Sequence, residues 1–297
     1  MADPDPPHGA LPSAREDVAR VREVPVTPQT CSSSYRLAFA DADFLLREEL
    51  RPVRLQLELL KPELELLARR IEATIVVFGS ARLLEPAAAR ARREAAEAAA
   101  KALPDDAALA ASARAAANLE RLSRNYDEAR RFGRLASTPR GPDGKQRYVI
   151  VTGGGPGVME AANRGAAEAG AISIGHNIVL PHEQAPNPWV TPELCFQFHY
   201  FALRKMHLTT RAKALVVFPG GFGTFDELFE ILCLIQTGKS RPMPVLLFDR
   251  DYWHRVVNFT ALAEEGVIDA ADLGLFQFVE TADEAWAIIE AHYAGQP

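Results

Sequence analysis

Between residues 72 and 297 the apolar positions change period repeatedly. Thr74-Ile75-Val76-Val77-Phe78 is an unbroken β-branched and aromatic run that stops at Gly79-Ser80. Such a run predicts a strand buried on both faces that ends in a turn. The same run-then-glycine order returns at 148–152 before Gly153 and at 214–218 before Pro219-Gly220, with weaker runs at 171–174, 244–248 and 275–279. Helical spacing fills the gaps, over Pro86–Ala102, Val158–Glu168, 224–236, 252–265 and 283–293. Strands alternating with helices predict an α/β fold, a Rossmann-like, doubly wound, mainly parallel sheet with helices on both faces.

The flanks read differently. Residues 1–34 are poor in apolar positions and punctuated by prolines, and are expected to form a flexible arm. Over 35–71, Leu57, Leu60, Leu64, Leu67 and Ile71 recur at steps of three and four, which predicts an N-terminal helical extension with Pro52 and Pro62 marking starts or breaks. Within the 72–297 domain, an Ala/Arg-rich stretch and a turn-rich Pro139–Gly144 segment occupy 103–146; this reads as one or two helices inserted into the first crossover, for packing or subunit contact.

In open parallel sheets ligands bind outside the carboxyl ends of the strands. Three of the strands end there in glycine turns: Gly79-Ser80, Gly153-Gly154-Gly155-Pro156-Gly157 and Pro219-Gly220-Gly221-Phe222-Gly223-Thr224. A helix is expected after each of the last two, so its free N–H groups and positive dipole end would face a bound phosphate. Alternatively, the glycines serve only tight strand-to-helix turns. A dinucleotide site is disfavoured: Gly153, Gly155 and Gly157 do not meet G-x-G-x-x-G, and the next strand runs into Gly175-His176-Asn177 without a terminal acid. Gly238-Lys239-Ser240 resembles the end of a P-loop, but the required first glycine is Cys233 and the triplet follows a helix instead of preceding one.

Composition narrows the function classes. Thirty-three basic against 39 acidic residues give a net charge of −6, which argues against nucleic-acid binding through bulk positive charge. No apolar run approaches membrane-spanning length, and the first 13 residues hold no apolar signal region. Cys31, Cys195 and Cys233 are too scattered for a disulfide framework or a zinc pattern, so a reduced, cytoplasmic setting fits best.

Two groups of side chains could carry chemistry. Thr224 with Glu227 three residues on matches a capping box, which would make both structural. In the other reading Thr224 donates to a phosphate and Glu227 points at the sugar; Asp226, about 100° round the helix, would then face elsewhere. Arg204-Lys205 opens a helix before the 214–218 strand, as solvated or ion-paired residues or as ligand contacts. His176, His182, His199 and His207 have no metal-ligand spacing, so no metal is expected.

Pro219–Glu227 forms a complete P-G-G-x-G-T-x-x-E, and Arg204-Lys205 precedes it as an R-K pair. On these residues the chain resembles the LOG family, Rossmann-fold phosphoribohydrolases once labelled lysine decarboxylases. Gly153 to Asn163 resembles the family's first glycine turn. Gly79–Arg82, Asn177-Ile178, Glu183-Gln184 and the 227–239 stretch resemble its longer-chain branch. The resemblance, which covers roughly 74–253, implies cleavage of the N-glycosidic bond of a nucleoside 5′-monophosphate to free base and ribose 5-phosphate. It implies Arg204 and Glu227 as the catalytic pair. It further implies Gly79, Ser80, Gly153, Gly154, Gly155, Gly157, Glu160, Asn163, Lys205, Gly220, Gly221, Gly223 and Thr224 as substrate or phosphate contacts. No cofactor is implied, the partner is a small nucleotide, and a homodimer or larger homo-oligomer is suggested. His176, His207 and Lys213 depart from the residues usual in relatives, which bears on base specificity.

Overall fold

The computed structural model describes residues 11–141, 144–181 and 185–294. The first ten residues of the expected arm, Pro142-Asp143 in the turn-rich segment, His182 and the Glu183-Gln184 pair lie outside them. The chain divides into two compact units, Met1–Glu58 and Leu59–Pro297.

In the first unit, helix α1 (Ala14–Val21) lies within the expected arm. Its start is explained by a capping box in which Ser13 accepts from the Glu16 N–H and the Glu16 carboxylate accepts from the Ser13 N–H. A single turn, α2 (Ala42–Leu45), follows, capped by Asp41. Helix α3 (Arg51–Ala68) begins in this unit and ends in the next. Pro52 stands in its first turn, where the missing N–H costs nothing, whereas Pro62 sits inside the helix without ending it.

The second unit is built on seven parallel strands: β1 (Thr74–Phe78), β2 (Val149–Thr152), β3 (Ser173–Ile178), β4 (Cys195–Phe198), β5 (Ala212–Val217), β6 (Val245–Phe248) and β7 (Gln277–Val279). Their order is β4-β3-β2-β1-β5-β6-β7, every pairing parallel. The chain therefore winds outward from β1 to β4, then returns to lay β5 on the other side of β1. That reversal makes a topological switch point between β1 and β5.

Alternate residues of the central strands feed two cores. Ile75, Val77, Ile150, Ala214, Val216, Leu246 and Phe248 face one way; Val76, Phe78, Val149, Val151, Leu215, Val217, Val245 and Leu247 face the other. Helix α4 (Pro86–Ala102) leaves β1, and the predicted insertion consists of α5 (Ala107–Leu122) and α6 (Arg124–Ser137). Helix α6 belongs to the first core: Tyr126, Ala129, Phe132 and Ala136 are buried against α7 (Val158–Glu168). Paired glycines let the two backbones touch, since a Cβ on Gly165 would come within 1.9 Å of the Arg130 carbonyl oxygen and one on Gly133 within 2.2 Å of that of Ala162. The second core takes Leu66 of α3 and the inward faces of α8 (Phe201–Thr210), α9 (Phe222–Gln236), α10 (Arg250–Val256) and α11 (Phe259–Glu264). Helix α12 (Ala282–Tyr293) closes the first. Among the described residues no helix is long and apolar enough to cross a membrane.

Several boundaries differ from the sequence expectation. Strand β3 does not end before Gly175-His176-Asn177 but runs through it, because neighbouring chain absorbs these polar residues. His176 is enclosed by Phe196, Phe198 and His207, and the Asn177 amide donates to the Phe196 carbonyl. Strand β4 was not anticipated; its alternation Cys195-Phe196-Gln197-Phe198 spans only four residues. The predicted 252–265 helix is two, broken at Val257-Asn258, where Asn258 caps α11.

Candidate functional site

Outside the carboxyl ends of β1 and β5, at the switch point, lies a cavity of about 600 Å³. One wall is the chain leaving β1, from Phe78 to Arg82, and the other is the start of α9, from Gly221 to Glu227. The Ser80 N–H donates to the Pro219 carbonyl at 2.9 Å, which ties the two turns together. The Tyr252 hydroxyl donates to the Gly220 carbonyl from behind.

Helix α9 starts two residues earlier than the sequence suggested. Its N-cap is Gly221, with no side-chain cap, and Thr224 already lies inside the first turn. The capping box of Thr224 and Glu227 is therefore not formed, and the structural explanation of both residues falls. Among the described residues no side chain caps the first N–H groups of α9, and a Cβ on Gly221 or Gly223 would meet nothing within 4 Å, so the helix end is open to an anion. Gly220 is required for contact: its Cβ would stand 2.1 Å from the Thr224 hydroxyl oxygen.

Glu227, one turn into α9, is 5% exposed and Arg204 of α8 is 8% exposed. Arg204 Nη1 lies 3.8 Å from Glu227 Oε1, while its Nε donates to the His176 carbonyl at 2.9 Å. The guanidinium also stands over the rings of Phe78 and Phe201. Burial raises the Glu227 carboxyl to about 7, against the pull of Arg204 and Lys205 in the opposite direction. Burial lowers Arg204 from its usual value, opposed by Glu227, yet an arginine stays charged. The pair is thus a fixed cation beside a carboxyl that titrates near neutrality, the property expected of a group that handles protons.

The glycine turn after β2 braces this pair from behind. A Cβ on Gly153 would come within 2.9 Å of Arg204 Nη2, so that position must be bare for the arginine to lie where it does. Gly154 and Gly157 have φ of 73° and 72°, the left-handed region, and a Cβ on Gly157 would press to 2.3 Å from the Ser80 carbonyl oxygen. A Cβ on Gly79 would strike Val158 at 2.7 Å. Of this region only Met159, just past the turn, lines the cavity.

Three other expected contacts are engaged elsewhere. Asn163 is fully buried; it accepts from Thr152 and Asn187 and donates to Ser173, and Thr152 in turn accepts from the Gly154 N–H. It holds the β2 turn in shape. Glu160 accepts from the Tyr126 hydroxyl at 3.3 Å. Lys205 bridges Asp226 at 2.8 Å and Glu230 at 2.9 Å, which steers Asp226 away from Glu227's role although it borders the cavity. Sequence reasoning missed the apolar lining of Phe78, Met159, Phe201 and Phe222. Phe222, 96% exposed, stands at the mouth; an aromatic between two motif glycines was the one available signal.

The chain matches the family described as "possible lysine decarboxylase" over residues 159–289. A probable cytokinin riboside 5′-monophosphate phosphoribohydrolase of Oryza sativa subsp. japonica is 29% identical over 139 residues, which is 46% of this chain and 59% of that protein. The cytokinin riboside 5′-monophosphate phosphoribohydrolase of Rhodococcoides fascians is 26% identical over 146 residues, 48% of this chain and 72% of its own length. Among solved structures, a Moco carrier protein from Chlamydomonas reinhardtii aligns at 20% identity over 75% of this chain and 98% of that one, with a TM-score of 0.44. With the complete Pro219–Glu227 motif and its paired Arg204 at the switch-point cavity, the chain is similar to the LOG and lysine-decarboxylase-like proteins, the family match covering less than half of its length.

Proposed function

We propose that this protein hydrolyses the N-glycosidic bond of nucleoside 5′-monophosphates, AMP or an N6-substituted AMP of the cytokinin type, to free base and ribose 5-phosphate. The observation that carries the reading is the buried Glu227 carboxyl, raised to about 7 beside Arg204, one turn into a helix whose open end faces the same cavity. The phosphoribohydrolase names of the rice and Rhodococcoides proteins support the same reaction class.

The phosphate sits against the free N–H groups of α9, with the Thr224 and Ser80 hydroxyls within the same turns. Binding there, away from the reacting carbon, supplies orientation. The base rests on the apolar wall of Phe78, Met159, Phe201 and Phe222. As the C1′–N bond breaks, its electron pair leaves with the base and positive charge develops on the ribose. Ionised Glu227 attracts that charge and accepts the proton of the water whose oxygen bonds to C1′. Arg204, held by the His176 carbonyl and by Glu227, stabilises the departing base or the phosphate. The departing base takes a proton from solvent and Glu227 returns the water's proton to solvent, so that one water is added across the C1′–N bond and the carboxylate is regenerated. Nothing marks Lys205, engaged by two carboxylates, as a pyridoxal phosphate aldimine lysine.

Incubation with a panel of nucleoside monophosphates, with chromatography of the released bases, tests the reading. Cleavage of AMP or its N6-substituted forms but not of adenosine, which lacks the phosphate, is expected. Calorimetric binding of nucleotides with no base released from any would leave a binding protein and not a hydrolase.

A further inference from the structure

A phosphate seated at the open end of α9 brings more charge than that helix end can answer. A phosphate monoester carries roughly 1.5–2 negative charges near neutral pH, whereas a helix N-terminus supplies only about half an elementary positive charge. Four charged side chains line the switch-point cavity: Arg82, Arg204, Asp226 and Glu227. Arg204 is committed, its Nε donating to the His176 carbonyl at 2.9 Å and its Nη1 facing Glu227 at 3.8 Å. Asp226 is already answered by Lys205 at 2.8 Å, and the same ammonium is shared with Glu230. Among the described residues the Arg82 guanidinium meets no carboxylate, carbonyl or aromatic ring; the hydrogen bond this residue makes comes from its backbone.

That backbone is held on both sides. The Arg82 N–H donates to the Ser80 hydroxyl oxygen at 3.1 Å, and the next residue, Leu83, is fully buried in the first core. The Ser80 carbonyl accepts from the Val158 N–H at 3.2 Å, while the Ser80 N–H donates to Pro219. A Cβ on Gly157 would stand 3.0 Å from the Ala81 Cα, so the β2 turn backs the segment closely. Ala81 and Arg82 are themselves exposed. A fixed backbone thus presents a long cationic side chain at the cavity, and the Ser80 hydroxyl, having accepted from Arg82, keeps its own proton to donate. A guanidinium stays charged throughout the working pH range, and its planar fork matches two phosphate oxygens at once.

We propose that Arg82 pairs with the 5′-phosphate of the bound nucleotide and is the residue that selects nucleotide over nucleoside. The assignment rests on the nucleotide reading of this cavity, and it requires nothing of the glycosidic chemistry. Arg82 and the α9 end then hold the phosphate from opposite walls, which the Ser80–Pro219 bond already ties together. Between them they supply about 1.5 positive charges, close to what the phosphate carries. Arg204 is left with Glu227 at the sugar and base.

Calorimetric titration of the full chain with ribose 5-phosphate tests this without requiring turnover. The wild type binds it at least about tenfold more tightly than ribose, and Arg82→Gln loses at least about tenfold of that affinity. Adenosine binds the variant within about twofold of wild type, because no phosphate is there to be answered. Arg82→Lys, a point charge without the fork, recovers part of the loss. The side chain is exposed, so the urea midpoint of Arg82→Gln stays at the wild-type value. In steady state KM for AMP rises while kcat holds, as when binding common to ground and transition states is removed. The proposal is overturned if Arg82→Gln binds ribose 5-phosphate as tightly as wild type, if the loss extends equally to adenosine, or if the wild type does not distinguish ribose 5-phosphate from ribose. Expected affinities with no base released from any nucleotide would uphold Arg82 and strike the hydrolase reading alone.

Discussion

Replacing Glu227 by glutamine keeps its shape and removes its charge. The carboxyl is 5% exposed, so a charge developing on the ribose about 4 Å away is felt at an effective dielectric near 20. That interaction is worth about 4 kcal/mol, or roughly 10³-fold in rate. Because it strengthens only as the glycosidic bond breaks, the loss falls on kcat, with KM for AMP little changed. The pH dependence carries an independent signature. The active form is the carboxylate, and the group is raised to about 7, so in the free enzyme kcat/KM rises with pH through that value and levels above it. At pH 6 the wild type runs at roughly a tenth of its plateau, and in Glu227→Gln this rising limb disappears. Initial rates of adenine release, measured by chromatography from pH 5 to 9, supply both readings. A variant within about tenfold of wild type, or a wild-type profile that falls with pH through 7, would refute the assignment of an ionised Glu227.

Arg204→Ala removes the cation 3.8 Å from Glu227; the same limb moves to higher pH, and AMP binding weakens in calorimetry. Gly157→Ala forces a side chain into left-handed backbone against the Ser80 carbonyl and should cost more than about 2 kcal/mol in urea unfolding. Asn163→Ala strands the buried groups of Thr152, Ser173 and Asn187, for a loss of about 2–3 kcal/mol, and loosens the turn enough to raise KM for AMP. Arg211 donates to both oxygens of Glu63 at 2.6 Å and holds that carboxyl below its usual range. A depressed acid stabilises the fold above its unfolded value near 4.3, and this contribution is lost as pH falls through its lower folded value. Glu63→Gln should therefore show a shallower loss of thermal stability on acidification than wild type.

How much of this was legible in the chain depends on the range of the interaction that decides each feature. Strands β1, β2 and β5 and the glycine turns after them could be read directly, because a run buried on both faces is apolar nearly throughout and a turn that takes positive φ, as at Gly154 and Gly157, or that touches a neighbour, as at Gly79 and Gly220, favours glycine. The P-G-G-x-G-T-x-x-E motif and its arginine likewise marked Glu227 and Arg204 before any contact was known. Strand order is not written in local periodicity. Only the folded sheet, laying β5 beside β1, brings Ser80 to Pro219 and Arg204 to Glu227 across the switch point. Tertiary contacts also decided which polar residues were absorbed into structure: His176 and Asn177 disappear into β3, Asn163 into the support of a turn, and Lys205 between two carboxylates. The start of α9 was set in the same way. A capping box competes with whatever the preceding turn is bound to, and here Tyr252 and Ser80 anchor that turn so that the helix opens at Phe222. Local sequence thus specified the elements and the reactive residue types, whereas burial and charge at Glu227 arise only from groups that long-range pairing assembles around it.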